Sequence, residues 1–285
     1  MIPVPLFVIL YTLGLLKNGI RSMRMILFGF AMACLALSHT YWFIFDFMYE
    51  GKELPFAANE LGEWGLFLLL GAALSNGVKP RRLSFALEAI LMFLFVLANV
   101  SLWIYWNGEW IQDLATGASL SYLLYALIRN MKYSERFSKP EWILLGLAAF
   151  TGTGLQALSV ILPAPYSGSA ESAGYVYLVI ISLVLFVLTI LSLRKAGKPD
   201  EKGSSGQNKT ARPVCLSFAS LMWCTFSMYM SAGICYVIEL FGTSAALLLI
   251  FFSLRKEMLF VLKDEALSKQ SDLIASSQSE EVGSL

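Results

Sequence analysis

Charge is what this sequence has least of. Asp, Glu, Lys and Arg make up 14% of its 285 residues, while 57% are hydrophobic and the mean hydropathy is +0.66. A soluble domain is charged at about one residue in four. Histidine occurs once, at His39. The four cysteines, Cys34, Cys215, Cys224 and Cys235, all sit inside apolar runs and show no CxxC spacing. They are read as small buried thiols.

Each absence excludes a chemistry. Intramembrane zinc hydrolases of the ceramidase and adiponectin-receptor type need several histidines, and no thiol is placed to replace them. A rhomboid-like protease needs a helical serine with a histidine elsewhere, yet the run SGSAESAG lies in a loop. There is no GxGD motif, no adjacent glutamate pair followed by arginine as in the abortive-infection proteases, and no lysine in 233–254 to carry retinal. No phosphate-binding glycine motif is present. The net charge of +1 gives no field for nucleic acid. No cofactor and no metal is expected.

What is present is a series of apolar runs of about 20 residues, the length of a transmembrane helix. Helices this apolar all round have no face for water. Nine spans are read, at 2–20, 25–48, 56–76, 83–106, 110–130, 142–163, 173–194, 213–231 and 233–254. The last two are alternatively one long bent helix, giving eight. The fold class is therefore an all-α polytopic transmembrane bundle. The N-terminal run lacks a basic n-region and a small-residue cleavage site, and is read as a retained first helix.

Lys and Arg orient the chain. Segments 17–24, 79–82, 129–139, 194–212 and 255–269 hold 20 of the 21 basic residues, and Lys52 alone lies on the other side. Cytoplasmic loops collect Lys and Arg, so those five segments are placed inside. Nine spans then put the N-terminus outside and the C-terminus inside. Four regions follow: a seven-helix block (1–194), a flexible cytoplasmic linker (195–212), a final helix pair (213–262) and a disordered cytoplasmic tail (263–285). The sequon at Asn208 falls on the inside and is discounted. In architecture, seven helices followed by a linker resemble the membrane parts of bacterial sensor proteins, a likeness that carries no function.

The acids stand out against this background. Nine of the twenty fall outside or in outer helix halves, where the basic-residue rule gives no reason for them. At 1.5 Å per residue His39 lies roughly 14 Å below the outer end of its span. Asp46, two turns later, returns to the same face. Glu60 and Glu63 lie about 6 and 10 Å into the next span. A charge this deep costs at least about 2.5–3.5 kcal/mol, so such groups face the bundle interior or a watered cavity. Gly62 and Gly65, flanking Glu63, permit close backbone approach to the neighbouring helix. The candidate ligand-binding set is His39, Asp46, Glu60, Glu63, Trp106, Trp110, Asp113 and Glu239, with Trp103 and Tyr236 also at the rim. The aromatics equally form the belt found where helices leave a bilayer.

These features lead to a multi-pass protein of a bacterial plasma membrane whose partners are the lipid bilayer and a small molecule or ion. A transporter or permease-like protein is expected first, with the acids favouring a cationic solute and His39 or Glu63 exchanging protons. A sensor or accessory subunit that signals to a membrane or cytoplasmic protein is the alternative. A lipid-active intramembrane enzyme is a third.

Overall fold

The structure, a computed structural model, describes residues 2–49, 58–76, 110–133, 166–196, 206–225 and 241–282, together with Ile90, Phe93 and Leu97. These residues are all-helical, with no strand among them. The helices are α1 (Pro3–Lys17), α2 (Met23–Tyr49), α3 (Ala58–Ser75), α4 (Trp110–Tyr133), α5 (Tyr166–Lys195), α6 (Gly206–Thr225) and α7 (Thr243–Val282). The expected spans 83–106 and 142–163 lie outside the described residues, except that Ile90, Phe93 and Leu97 are helical.

α1 ends because Gly19 adopts φ +74°, a left-handed conformation that a side chain resists. The Ile20 amide then donates to the Leu15 carbonyl and the Gly19 amide to the Leu16 carbonyl. This is a Schellman closure, which satisfies the last carbonyls of the helix and reverses the chain. α2 returns beside α1. A Cβ on Gly29 would stand 2.9 Å from the Thr12 side chain, which shows how closely the two backbones approach.

Pairwise contacts fix the helix directions. Gly65 faces Cys34 and Gly62 faces Ser38, so α2 and α3 are antiparallel. The Trp64 indole donates to the Thr116 hydroxyl at 2.8 Å, and Gly71 lies against Tyr122, so α3 and α4 are parallel. Phe7 meets Phe251 at 5.2 Å between ring centroids, and the Arg255 Nε donates to the Tyr11 hydroxyl at 3.1 Å. α1 and α7 are therefore parallel too. α5 and α6 are antiparallel, with Ser182 beside Cys224 and the C-terminal end of α5 level with Pro213. The Ser253 hydroxyl donates to the Pro213 carbonyl at 3.4 Å, so α6 and α7 are two packed helices rather than one bent rod.

The core runs through all of these except most of α5. Phe28, Leu70, Leu123, Phe218 and Phe251 are among its fully buried side chains. Around it lies a second set of large apolar residues that is exposed: Leu10 on α1, Leu37 and Phe47 on α2, Leu68 on α3, Leu114 on α4, Leu183 and Leu191 on α5. One stretch among the described residues, Met23–Phe45 in α2, is long and apolar enough to cross a membrane by length and composition, with 23 residues at a mean hydropathy of 1.5.

Three expectations are corrected. The run SGSAESAG, expected in a loop, is helical and forms the first turns of α5. The tail, expected to be disordered from 263, is helical to Val282. It has no Pro or Gly before Gly283, and it elongates a helix already formed, so no nucleation cost arises. The linker expected over 195–212 is shorter at both ends. α5 runs through Lys195 and α6 begins at Gly206.

Candidate functional site

A polar network ties five helices together at one end of the bundle. Arg24, in the first turn of α2, donates through Nη1 to both carboxylate oxygens of Glu257 on α7, at 2.6 and 2.8 Å. Both side chains are only 11% exposed. Arg24 Nη2 donates to the Leu74 carbonyl at 3.1 Å, and the Asn130 amide donates to the same carbonyl at 3.0 Å. Lys256 donates to the Leu193 carbonyl, and partial burial lowers its pKa from the usual lysine value. Five helices thus meet in one plane at residues 24, 74, 130, 193 and 257. All of these lie at or beside segments assigned to the inside from the basic residues.

Levels within the bundle can be counted from that plane at 1.5 Å per helical residue. Glu63 stands about 16 Å above it and His39 about 22 Å. Ser121 and Thr243 fall at about 13 and 21 Å on the same count. His39 Nε2, Ser38 Oγ, Ser121 Oγ and Thr243 Oγ1 are buried and have no hydrogen-bond partner among the described residues. The half of the bundle away from the ion pair therefore carries a layer of buried polar atoms.

Helical spacing shows which way these groups face. On α3, Glu63 shares a stripe with Phe67, Leu70 and Leu74, all buried, while Leu61 and Leu68 are exposed on the opposite side. On α2, His39 shares a stripe with the buried Phe28, Met32 and Leu35, while Leu37 and Ile44 face outward. Because α2 and α3 are antiparallel, both stripes turn to the same side of the pair, which is the bundle interior. Glu60 lies in the first turn of α3, one helical turn above Glu63.

The close approach expected at Gly62 and Gly65 is present. A Cβ at Gly62 would stand 2.8 Å from the Cys34 carbonyl oxygen, and one at Gly65 would stand 2.9 Å from Cys34 Sγ. Asp46 lies in the last third of α2, and Trp110 and Asp113 in the first turn of α4, but their side chains lie outside the described residues. Trp103, Trp106, Tyr236 and Glu239 lie outside them altogether. No group of three or more His, Cys, Asp or Glu residues suited to a metal ion occurs among the described residues.

The Arg24–Glu257 pair was not legible in the chain, where its partners stand 233 residues apart. The available signal was weak: Arg24 opens an apolar run and Glu257 closes another. No protein family, curated protein or solved structure matches this chain.

Proposed function

We propose that this chain is a nine-span protein of a plasma membrane, with its N-terminus outside and its C-terminus inside, and that it moves a small solute through a polar chamber in its outer half. The exposed apolar side chains support the membrane reading. Monomeric soluble proteins rarely expose large contiguous apolar patches. Here exposed Leu, Ile and Phe side chains lie on six of the seven helices and on Ile90, Phe93 and Leu97, which share one helical face. The stretch 172–193, within α5, also holds no charged residue over 22 positions, enough to cross hydrocarbon.

Helix direction supports the count of nine. α3, α4 and α5 all run toward the ion-pair end. Successive spans alternate in direction, so a count of nine assigns one span to the sequence between each such pair. Residues 77–109 and 134–165 are each long enough for one crossing of about 20 residues. They contain the spans expected from the sequence.

The observation that carries the transport reading is the pairing of a buried ion-pair network at one end with buried polar atoms in the other half. Arg24–Glu257 ties the helices together at one end, while His39 and Glu63 face the interior nearer the other. The outer acids Asp46, Glu60 and Glu63 favour a cation, and His39 is the one side chain of the chain whose ordinary pKa lies near neutrality. The test is a proteoliposome assay with an internal pH-sensitive dye and a panel of small organic cations. At least one cation should dissipate an imposed proton gradient with the native chain, and Glu63→Gln and His39→Gln should abolish this while folding is retained. A native chain inert to the whole panel, or full flux in Glu63→Gln, overturns the proposal.

A sensor is the second reading, favoured by α7. This helix is continuous for 40 residues and tied to α2 and α5 at residues 256 and 257. Its length is about 60 Å at 1.5 Å per residue, so it carries movement of the bundle well beyond it. Absence of flux together with a protein partner held by residues 263–282 would favour sensing.

A further inference from the structure

Arg24 on α2, Leu74 on α3 and Glu257 on α7 meet in the plane of the ion pair. Fourteen residues make about four turns of an α-helix, so side chains that far apart lie close to one stripe. Counted outward, 24 leads to Ser38, 74 to Glu60 and 257 to Thr243. All three are polar, and His39 adjoins Ser38. The three helices that converge on the ion pair therefore carry a second polar level about 21 Å from it. We propose that Ser38 and Thr243 bind the solute at this level, and that the solute is a small organic cation bearing a hydroxyl group. The inference rests on the transport reading above and narrows its solute class.

Buried helical hydroxyls elsewhere in the bundle bond back to their own helix. Thr12 donates to the Val8 carbonyl, Thr189 to Leu185, Ser217 to Val214 and Ser220 to Leu216. Ser38 and Thr243 depart from this pattern. They are 1% and 9% exposed, and neither hydroxyl has a partner among the described residues. His39 Nε2 is likewise buried without one. A buried polar group left unpaired is costly to the fold. Three such groups at one level are explained by a ligand that pairs with them.

Their positions are set by packing. Ser38 sits where α2 touches α3, with a Cβ on Gly62 reaching 2.9 Å from its own Cβ. Thr243 heads the stripe of α7 that runs through the buried Leu247, Ile250 and Leu254 to Glu257, and so faces the way the ion pair does. Residues 241–242, just before it, are π-helical, a local widening frequent at functional sites.

The donor set selects the solute. Glu60 supplies negative charge at this level. Hard metal ions take oxygen ligands and would leave the imidazole nitrogen unused. An alkylammonium with no other polar group would answer the carboxylate and leave both hydroxyls unpaired. A solute hydroxyl donates and accepts, as Ser and Thr do, so it can pair with Ser38 or Thr243 while its charge rests near Glu60.

The test compares choline with propyltrimethylammonium, in which a methyl replaces the hydroxyl. Both carry a permanent charge, so neither leaks through lipid as a neutral amine. Uptake into proteoliposomes holding the full-length chain is read by mass spectrometry. Choline should be taken up with a kcat/KM about tenfold higher. Ser38→Ala and Thr243→Val should each bring the two cations toward parity. Ser220→Ala, whose hydroxyl is bonded within its own helix, should keep the full preference. Equal uptake of both cations by the native chain would overturn the proposal, and this comparison needs no variant to fold. The full preference retained in Ser38→Ala and Thr243→Val would overturn it too. Native flux of other cations with choline excluded would sink this inference and leave transport standing. No flux of any cation would sink both.

Discussion

Replacing Glu257 with Gln while leaving Arg24 in place tests how the ion-pair end is held. Both carboxylate oxygens accept from the one nitrogen Nη1, at 2.6 and 2.8 Å, and both side chains are 11% exposed. Losing one partner of a buried pair costs about 3–5 kcal/mol, chiefly because the other charge is left uncompensated. Arg24 keeps its bond to the Leu74 carbonyl, and slight exposure softens the penalty, so about 2–3 kcal/mol is expected for Glu257→Gln. Arg24→Met should cost a similar amount by stranding Glu257. Arg24→Met combined with Glu257→Leu removes both charges and keeps the volume. The Leu74 carbonyl is not orphaned in that protein, since Asn130 still donates to it. The double variant should therefore lie within about 1 kcal/mol of the native chain. The assay is reversible unfolding in mixed detergent micelles, with all four proteins read by tryptophan fluorescence under one protocol. Single variants within about 0.5 kcal/mol of native, or a double variant that pays the sum of the singles, would refute the reasoning.

Three further outcomes follow from the packing. Gly65→Ala would set its Cβ 2.9 Å from Cys34 Sγ. It should cost about 1–3 kcal/mol, and Cys34→Ala should recover much of this; no recovery would show that the α2–α3 contact is misjudged. Gly62→Ala meets the Cys34 carbonyl oxygen at 2.8 Å, and since backbone cannot give way as a thiol can, Cys34→Ala should not rescue it. Deleting residues 271–282 should reduce helical ellipticity and leave the unfolding midpoint unchanged, because 263–270 are exposed and give that end of α7 no packing; a lowered midpoint would mean that this end docks on the bundle.

The helices were legible where apolar runs were long. α1, α2, α3 and α4 coincide with the runs at 2–20, 25–48, 56–76 and 110–130 to within a few residues. The approach of α2 to α3 was legible too, because glycines three apart on one face leave room for a neighbour's backbone. Composition misled at the end of α7. Polarity argued that residues 263–282 have nothing to bury, which their exposure to 270 agrees with, but helix propagation from a packed segment needs no burial. His39 and Glu63 were singled out by depth alone, and the helical stripes place both toward the interior. Asp46, Glu239 and the tryptophans remain expectations from the sequence. Long-range pairing was not legible: nothing in the neighbourhood of Arg24 marks Glu257 as its partner.

The orientation of the bundle is the claim on which the rest depends, and cysteine accessibility tests it most directly. In a background free of the four native cysteines, Ser167→Cys and Ser204→Cys would be exposed in turn, on intact cells, to a membrane-impermeant maleimide. The nine-span arrangement predicts labelling at 167 without lysis and at 204 only after lysis. Labelling at 204 on intact cells with 167 protected would invert the bundle. Equal labelling of both on intact cells would place the two positions on one side and contradict the arrangement altogether.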